Sequence, residues 1–242
     1  MSVEGRQAVR ELLRAGRRRV WEVAVSDTAA ETGALREILD LASSAGVPLR
    51  RVSRQQLEAR AATDAPQGVV ATADPIPEAT LGQLVAGPGA LLVVLDGVSD
   101  PHNLGAVMRS ALCAGATGVV IGRHRSAGLG PAATKAAAGA AEWLAVATVA
   151  GVPAALAELR SAGVWTVGLD AAGPTRLFDL PVATEPVALV LGAEAGGLSR
   201  LARQRCDLLV SIPMRGPLGS LNVSAAAALA CFEVARRRAG PG

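Results

Sequence analysis

Three stretches of this chain close an apolar run and open onto small, polar and charged residues whose spacing could serve chemistry. The first is Asp96-Gly-Val-Ser-Asp-Pro-His-Asn-Leu-Gly-Ala-Val-Met-Arg109. Helical side chains lean toward the N-terminus, so Arg109 can lie back over Gly105 and Ala106 one turn earlier. A guanidinium there could hold a phosphate through two parallel bonds. Its ordinary use would be pairing with a carboxylate on the same helix face. Asn103 reads as the N-cap of that helix. The second stretch is Leu189-Val-Leu-Gly-Ala-Glu-Ala-Gly-Gly-Leu-Ser199. Its glycines permit a sharp bend and close approach of backbone to a ligand. Glu194 lies inside the bend, as a site carboxylate or as a turn residue accepting backbone N–H groups. The third is Ser211-Ile-Pro-Met-Arg-Gly-Pro-Leu-Gly-Ser-Leu-Asn-Val-Ser224. There Ser220 and Asn222 could orient a ligand or cap the helix that follows.

Such segments need a scaffold that sets strand ends side by side. Beyond residue 89 the chain alternates strands with helices, which implies a parallel sheet covered on both faces. The strands are expected at Leu91–Leu95, Gly118–Ile121, Val164–Leu169, Val187–Leu191 and Leu208–Ile212, with helices near 103–115, 131–141, 153–162, 199–205 and 220–237. Parallel α/β sheets bind ligands at the carboxyl ends of their strands, where all three segments begin. Ahead of this lies a smaller β/α unit, with strands at Val20–Val25, Leu49–Val52 and Gly68–Thr72 and helices at 3–16, 32–45 and 54–60. Asp74-Pro-Ile-Pro77 and Gly87-Pro-Gly89 punctuate the region between, around a weak helix. The expected division is 1–73, a linker at 74–88, and 89–242.

Composition narrows the chemistry. Half of the 242 residues are apolar but only 2% are aromatic and none is Tyr. The core must therefore be Ala, Val and Leu, and base stacking on an aromatic platform has few candidates. The net charge is +3, carried almost wholly by Arg, with clusters at Arg17–Arg19 and Arg236–Arg238. These are either solvated helix ends or contacts to nucleic-acid phosphate. Cys113, Cys206 and Cys231 lack Cys-x-x-Cys spacing and read as reduced and buried, hence cytoplasmic. No apolar leader opens the chain, and Leu221–Ala235 is too short and too polar to span a bilayer. With His102 and His124 the only histidines, no metal-ligand cluster is expected. No Gly-x-Gly-x-x-Gly follows a strand, which argues against a Rossmann oxidoreductase.

Taken together, and in this order, the segments resemble the three motifs of the SpoU family of SPOUT methyltransferases. The matching residues are Asn103-x-Gly105-x-x-x-Arg109, Leu191-Gly192-x-Glu194-x-x-Gly197-Leu198, and Ile212-Pro213-Met214 followed by Ser220-Leu221-Asn222-Val223-Ser224. Gly5-Arg6-Gln7-Ala8-Val9 and Gln67-Gly68-Val69 are similar to the family's substrate-binding unit, although Pro66 stands where the family often has His. The resemblance implies an α/β trefoil-knot domain behind a small L30e-like domain, a homodimer, and S-adenosyl-L-methionine held by Gly192, Ile212 and Leu221. It implies methylation of a ribose 2′-hydroxyl in RNA, most similar to enzymes acting on a guanosine of 23S rRNA, with tRNA as the alternative. The sulfonium donor needs no metal. The site residues would be Arg109, Asn103, Glu194, Ser220 and Asn222. The family account sometimes makes the arginine a proton acceptor, but guanidinium stays protonated in proteins, which favours a phosphate clamp. Arg6, Arg17, Arg18 and Arg19 would contact RNA. A non-catalytic RNA-binding knot protein is the reading from another class, and the intact Asn103, Arg109, Glu194 and Asn222 speak against it.

Overall fold

A computed structural model describes residues 1–194 and 196–240. The chain forms two compact units, Met1–Pro77 together with Leu129–Trp143, and Glu78–Gly128 together with Leu144–Gly242.

The first unit runs β1 (Ser2–Glu4), α1 (Arg6–Ala15), β2 (Val20–Ser26), α2 (Gly33–Ser44), β3 (Leu49–Val52), α3 (Arg54–Glu58) and β4 (Val69–Ala73). Its sheet has the order β1-β4-β2-β3, antiparallel at β1/β4 and β4/β2 and parallel at β2/β3. The helix expected from residue 3 is preceded by a strand, because Val3 pairs with Ala71 and Gly5, at φ 91°, turns the chain into α1. Val9 and Leu12 of α1, Leu35 and Ile38 of α2, and Val23, Val25 and Val69 of the sheet make one core. Just before β4, beside Gly5, Gln67 and Gly68 both adopt positive φ, 56° and 80°. A left-handed Gln is strained by about 1–2 kcal/mol. Its side-chain Oε1 offsets this by accepting the backbone N–H of Arg6 at 3.1 Å.

The second unit begins with α4 (Leu81–Val85), closed by a Thr80–Gln83 capping box. Leu81 and Leu84 pack into the core of this unit, so the segment read as linker is partly structure. β5 (Leu91–Asp96), α5 (Pro101–Cys113) and β6 (Gly118–Gly122) follow. The chain then enters the first unit as α6 (Pro131–Ala136) and a 3-10 turn at Ala140–Glu142. The helix expected over 131–141 stops early because Ala138 and Gly139 take positive φ, 50° and 94°. A single linker does not anticipate this excursion. The chain returns as β7 (Ala145–Val149), α7 (Val152–Ser161), β8 (Trp165–Leu169), β9 (Thr175–Arg176), β10 (Val187–Gly192), α8 (Arg200–Arg205), β11 (Leu208–Ser211) and α9 (Val223–Arg238).

The seven-stranded sheet has the order β7-β6-β5-β10-β8-β11-β9, and every neighbouring pair is parallel. Leu91 to Leu95 are all buried, as a doubly covered parallel strand requires. The short strands β7 and β9 escaped the sequence reading. The Ala-rich run through 132–147 masks the first, and two residues carry no period for the second. At the chain end Arg238 donates to the carbonyls of Gly89, Ala90, Ala183 and Glu185. It is therefore a clamp on α9, and burial lowers its pKa. Arg236 pairs with Glu233 at 2.8 Å. Two of the terminal arginines thus serve the fold. Cys231 is buried and Cys206 half-buried, and desolvation pushes both thiols up to about 12. The expectation of three buried cysteines fails at Cys113, which is exposed, because α5 turns Leu104, Val107, Met108 and Ala111 inward instead.

Candidate functional site

The carboxyl ends of β5, β10, β8 and β11 stand side by side in the second unit, and the three segments issue from three of them. α5 and α9 pack against each other, which brings residues near their N-termini together. Asp100, not Asn103, is the N-cap of α5. Its Oδ1 accepts the N–H of His102 at 2.9 Å, and Pro101 occupies the first helical position, where its fixed φ and missing N–H cost nothing. Asn103 is thereby freed to work outside its own helix. Its Nδ2 donates to Asp100 Oδ2 at 3.1 Å and to Glu194 Oε1. Asn222 is the N-cap of α9, accepting the N–H of Ser224 at 2.8 Å. Its Nδ2 reaches Asn103 Oδ1 at 3.1 Å and Glu194 Oε1 at 3.2 Å. One residue from each motif thus joins a single network. The Glu194 carboxylate lies where α5 and α9 begin, the ends at which helix dipoles favour negative charge. Among the described residues it accepts side-chain amides and not the backbone N–H groups of an ordinary turn.

The bend holding Glu194 folds back on itself. Gly197 donates its N–H to Ala193 O at 2.8 Å and takes φ 62°. A Cβ on Gly192 would stand 1.9 Å from the carbonyl carbon of Gly197. Only glycine fits at this crossing. The bend is anchored where Ser199 donates its N–H to Asp96 Oδ2 at 2.7 Å, while the Ser199 side chain caps α8.

Beneath the bend lies a cavity of about 360 Å³. Gly192, Glu194, Ile212, Ser220 and Leu221 line it, so the expected cofactor residues share one space. Ser220 lines it without capping α9. Leu169, Asp170 and Arg203 also line it, and sequence reasoning missed all three. Leu169 ends β8, Asp170 follows it and Arg203 sits on α8, and only the sheet order puts β8 between β10 and β11.

Arg109 is not part of this network and does not line the cavity. It is six residues beyond Asn103, on another face of α5. It is exposed, and its side chain has no hydrogen bond or ion pair among the described residues. The same-helix carboxylate partner is therefore absent among them, and its charge is available to an external anion.

The basic residues of the first unit divide. The Arg18 side chain is 2% exposed and pairs with the similarly buried Glu142 carboxylate, Nε to Oε2 at 2.9 Å. It is a structural cation, which corrects its expected contact with RNA. A buried charge holds its place through such pairing. Arg6 donates to Gln67 O, Thr32 Oγ1 and Ala30 O, so its guanidinium ties loops together. It also borders a second cavity of about 390 Å³, shared with Thr28, Arg54, Asp64, Pro66 and Gln67. Arg17 is exposed and donates to Glu142 O at 3.1 Å. Arg19, also exposed, stacks 3.6 Å over the ring of Trp21.

Residues 90–232 match the model of the SpoU rRNA Methylase family, and residues 2–79 match that for RNA 2'-O ribose methyltransferase substrate binding. An uncharacterized tRNA/rRNA methyltransferase of Mycobacterium ulcerans is 41% identical over 242 residues, covering 98% of this chain and 77% of that protein. The 23S rRNA (guanosine-2'-O-)-methyltransferase RlmB of Xylella fastidiosa is 43% identical over 224 residues, covering 90% and 89%. Among solved structures, the SpoU methyltransferase AviRb from Streptomyces viridochromogenes, in complex with AdoMet, superposes with a TM-score of 0.82 at 27% identity. That match covers 100% of this chain and 91% of AviRb.

Proposed function

Because the chain belongs to the SpoU rRNA Methylase family and is an S-adenosylmethionine-dependent methyltransferase, we propose that it methylates the ribose 2′-hydroxyl of a guanosine in 23S rRNA. The observation that carries this reading is the meeting of Asn103, Glu194 and Asn222 from three separate motifs beside one cavity. The cavity volume falls within the roughly 300–1,000 Å³ usual for small-molecule sites. The side-chain-free crossing at Gly192 and Gly197 leaves backbone for close contact with a ligand. Both features suit S-adenosylmethionine, with Gly192, Ile212 and Leu221 against it. When bound, it supplies a methyl group already activated by a sulfonium.

The residues then divide the work. Arg109 grips the phosphate beside the target ribose and fixes the hydroxyl for in-line attack. Asn103 and Asn222 both donate to Oε1 of Glu194, which holds the carboxylate still and leaves Oε2 to accept the hydroxyl proton in a hydrogen bond. Ser220 orients the ribose. The first unit contributes RNA affinity, and there Arg17, Arg19 and the exposed Trp21 are the surface groups suited to phosphate and base. Purified chain with S-adenosylmethionine should convert guanosine to 2′-O-methylguanosine in unmodified 23S rRNA, read by nucleoside mass spectrometry. Transfer to tRNA alone would move the substrate, and transfer to neither would refute the assignment.

The family's knotted chain end and homodimer belong to the same proposal. The insertion of β8 between β10 and β11, together with the folded-back bend at 193–197, supports the knot. Ala225, Leu229 and Phe232 form an exposed stripe on α9, with Phe232 49% exposed and Leu218 nearby in sequence at 74%. Apolar surface of this kind marks an interface, and the proposed occupant is a second copy. Phe232→Glu should shift the protein from dimer to monomer in sedimentation. A wild-type monomer at micromolar concentration would contradict the dimer. No helix among the described residues is long and apolar enough to cross a membrane. A cytoplasmic location belongs to the same proposal, and an rRNA substrate supports it.

A further inference from the structure

Three ionisable side chains line the cavity among the described residues: Asp170, Glu194 and Arg203. Asp170 follows the last residue of β8, and Arg203 lies on α8. The Arg203 Nε stands 3.1 Å from Asp170 Oδ2. The other carboxylate oxygen, Oδ1, accepts the N–H of Ala172 at 2.8 Å, so the turn after β8 holds the aspartate in place. The aspartate in turn fixes the arginine by its inner nitrogen. Neither terminal guanidinium nitrogen has a hydrogen bond or ion pair among the described residues. An arginine held in this way presents its two outer nitrogens as a ready fork for a carboxylate.

The charge pattern of the ligand matches. S-adenosylmethionine carries two cations, the sulfonium and the α-ammonium, and one anion, the α-carboxylate. The cavity carries the reverse, two carboxylates and one guanidinium. Glu194 is tied to the network beside the transfer site, whereas Arg203 and Asp170 form a separate pair on other elements. Resting on the reading of this cavity as the S-adenosylmethionine site, we infer that Arg203, held by Asp170, receives the α-carboxylate of the cofactor's amino-acid end. The pair thereby sets which end of the molecule points toward α8. It also distinguishes S-adenosylmethionine from adenosine derivatives that lack the amino acid.

Calorimetry on the full chain tests this with three probes: S-adenosylmethionine, S-adenosylhomocysteine and 5′-methylthioadenosine, which keeps the adenosine and sulfur but has no amino-acid end. Arg203→Ala should weaken the first two by about tenfold, the scale of a charge-assisted pair at a half-exposed site. It should leave 5′-methylthioadenosine unchanged, which also reports an intact fold. Arg203→Lys should recover only part of the loss, since a point charge replaces the fork. Unchanged S-adenosylmethionine affinity in Arg203→Ala would overturn the inference. So would an equal loss for 5′-methylthioadenosine, because the pair would then read the adenosine end. Leu221→Arg, at an exposed cavity wall, separates the two levels of the argument. It should block all three probes. Intact binding in that variant would show that the cavity is not the site, whatever Arg203 does.

Discussion

Replacing Arg109 by Ala is expected to lower methyl transfer by at least about a hundredfold, the scale on which one preorganised charge-stabilising donor is lost, while S-adenosylmethionine still binds. The expectation rests on two facts: the Arg109 side chain is exposed with no partner among the described residues, and it stands outside the cavity. Its removal therefore leaves neither a buried charge nor a hole, and the fold should be unaffected. Arg109→Lys discriminates between charge and geometry. Lys keeps the cation but loses the rigid fork, and positioning a hydroxyl for in-line attack needs both, so little activity should return. Single-turnover rates with saturating cofactor give the comparison. Near-normal turnover of Arg109→Ala would move the phosphate contact elsewhere.

Gly192→Ala is expected to abolish measurable S-adenosylmethionine binding. The added Cβ would meet the main-chain carbonyl carbon of Gly197 at 1.9 Å, and backbone cannot rotate aside as a flexible side chain can. Overpacking in a core usually costs about 1–3 kcal/mol, and an overlap with backbone on this scale belongs at or beyond the upper end. The bend from Ala193 to Gly197 must open, which pulls Glu194 away from Asn103 and Asn222 and deforms the cavity wall. The Gly196→Ala control should be mild, since a Cβ there meets nothing within 4 Å. Calorimetry and thermal melting of both variants check the contrast. Wild-type affinity in Gly192→Ala would show that the bend is not held closed.

Much of the site could be read from the sequence because each motif begins where a continuous apolar strand stops. The apolar runs stop at Leu95, Leu191 and Ile212, within one residue of the ends of β5, β10 and β11 at Asp96, Gly192 and Ser211, and Asn103, Glu194 and Asn222 follow those ends. What the sequence could not provide was adjacency. Asp170 follows β8 with no distinguishing pattern, and it reaches the cavity only because β8 lies between β10 and β11. Arg203 looks like one more basic residue on a short helix until Asp170 stands beside it. The assignment of Asn103 as a cap failed for a local reason. Asp100-Pro101 supplies a better cap followed by a better first residue, and that substitution releases the Asn103 side chain for the network. Arg18 misled because a run of three arginines looks like one feature. Burial against Glu142 separates it from its neighbours, and that contact spans 124 positions in sequence. The excursion of residues 129–143 was hidden likewise, since an Ala-rich helix reveals nothing about which core it will join.

This chain is expected to place a methyl group on a ribose 2′-hydroxyl of 23S rRNA. Mapping 2′-O-methylation across total RNA tests it most directly, in cells with the gene, without it, and with the Arg109→Ala form restored. One guanosine of 23S rRNA should be methylated with the gene, unmethylated without it, and unmethylated with the variant. An unchanged map on deletion would contradict the claim, as would loss of methylation at a base in place of a ribose.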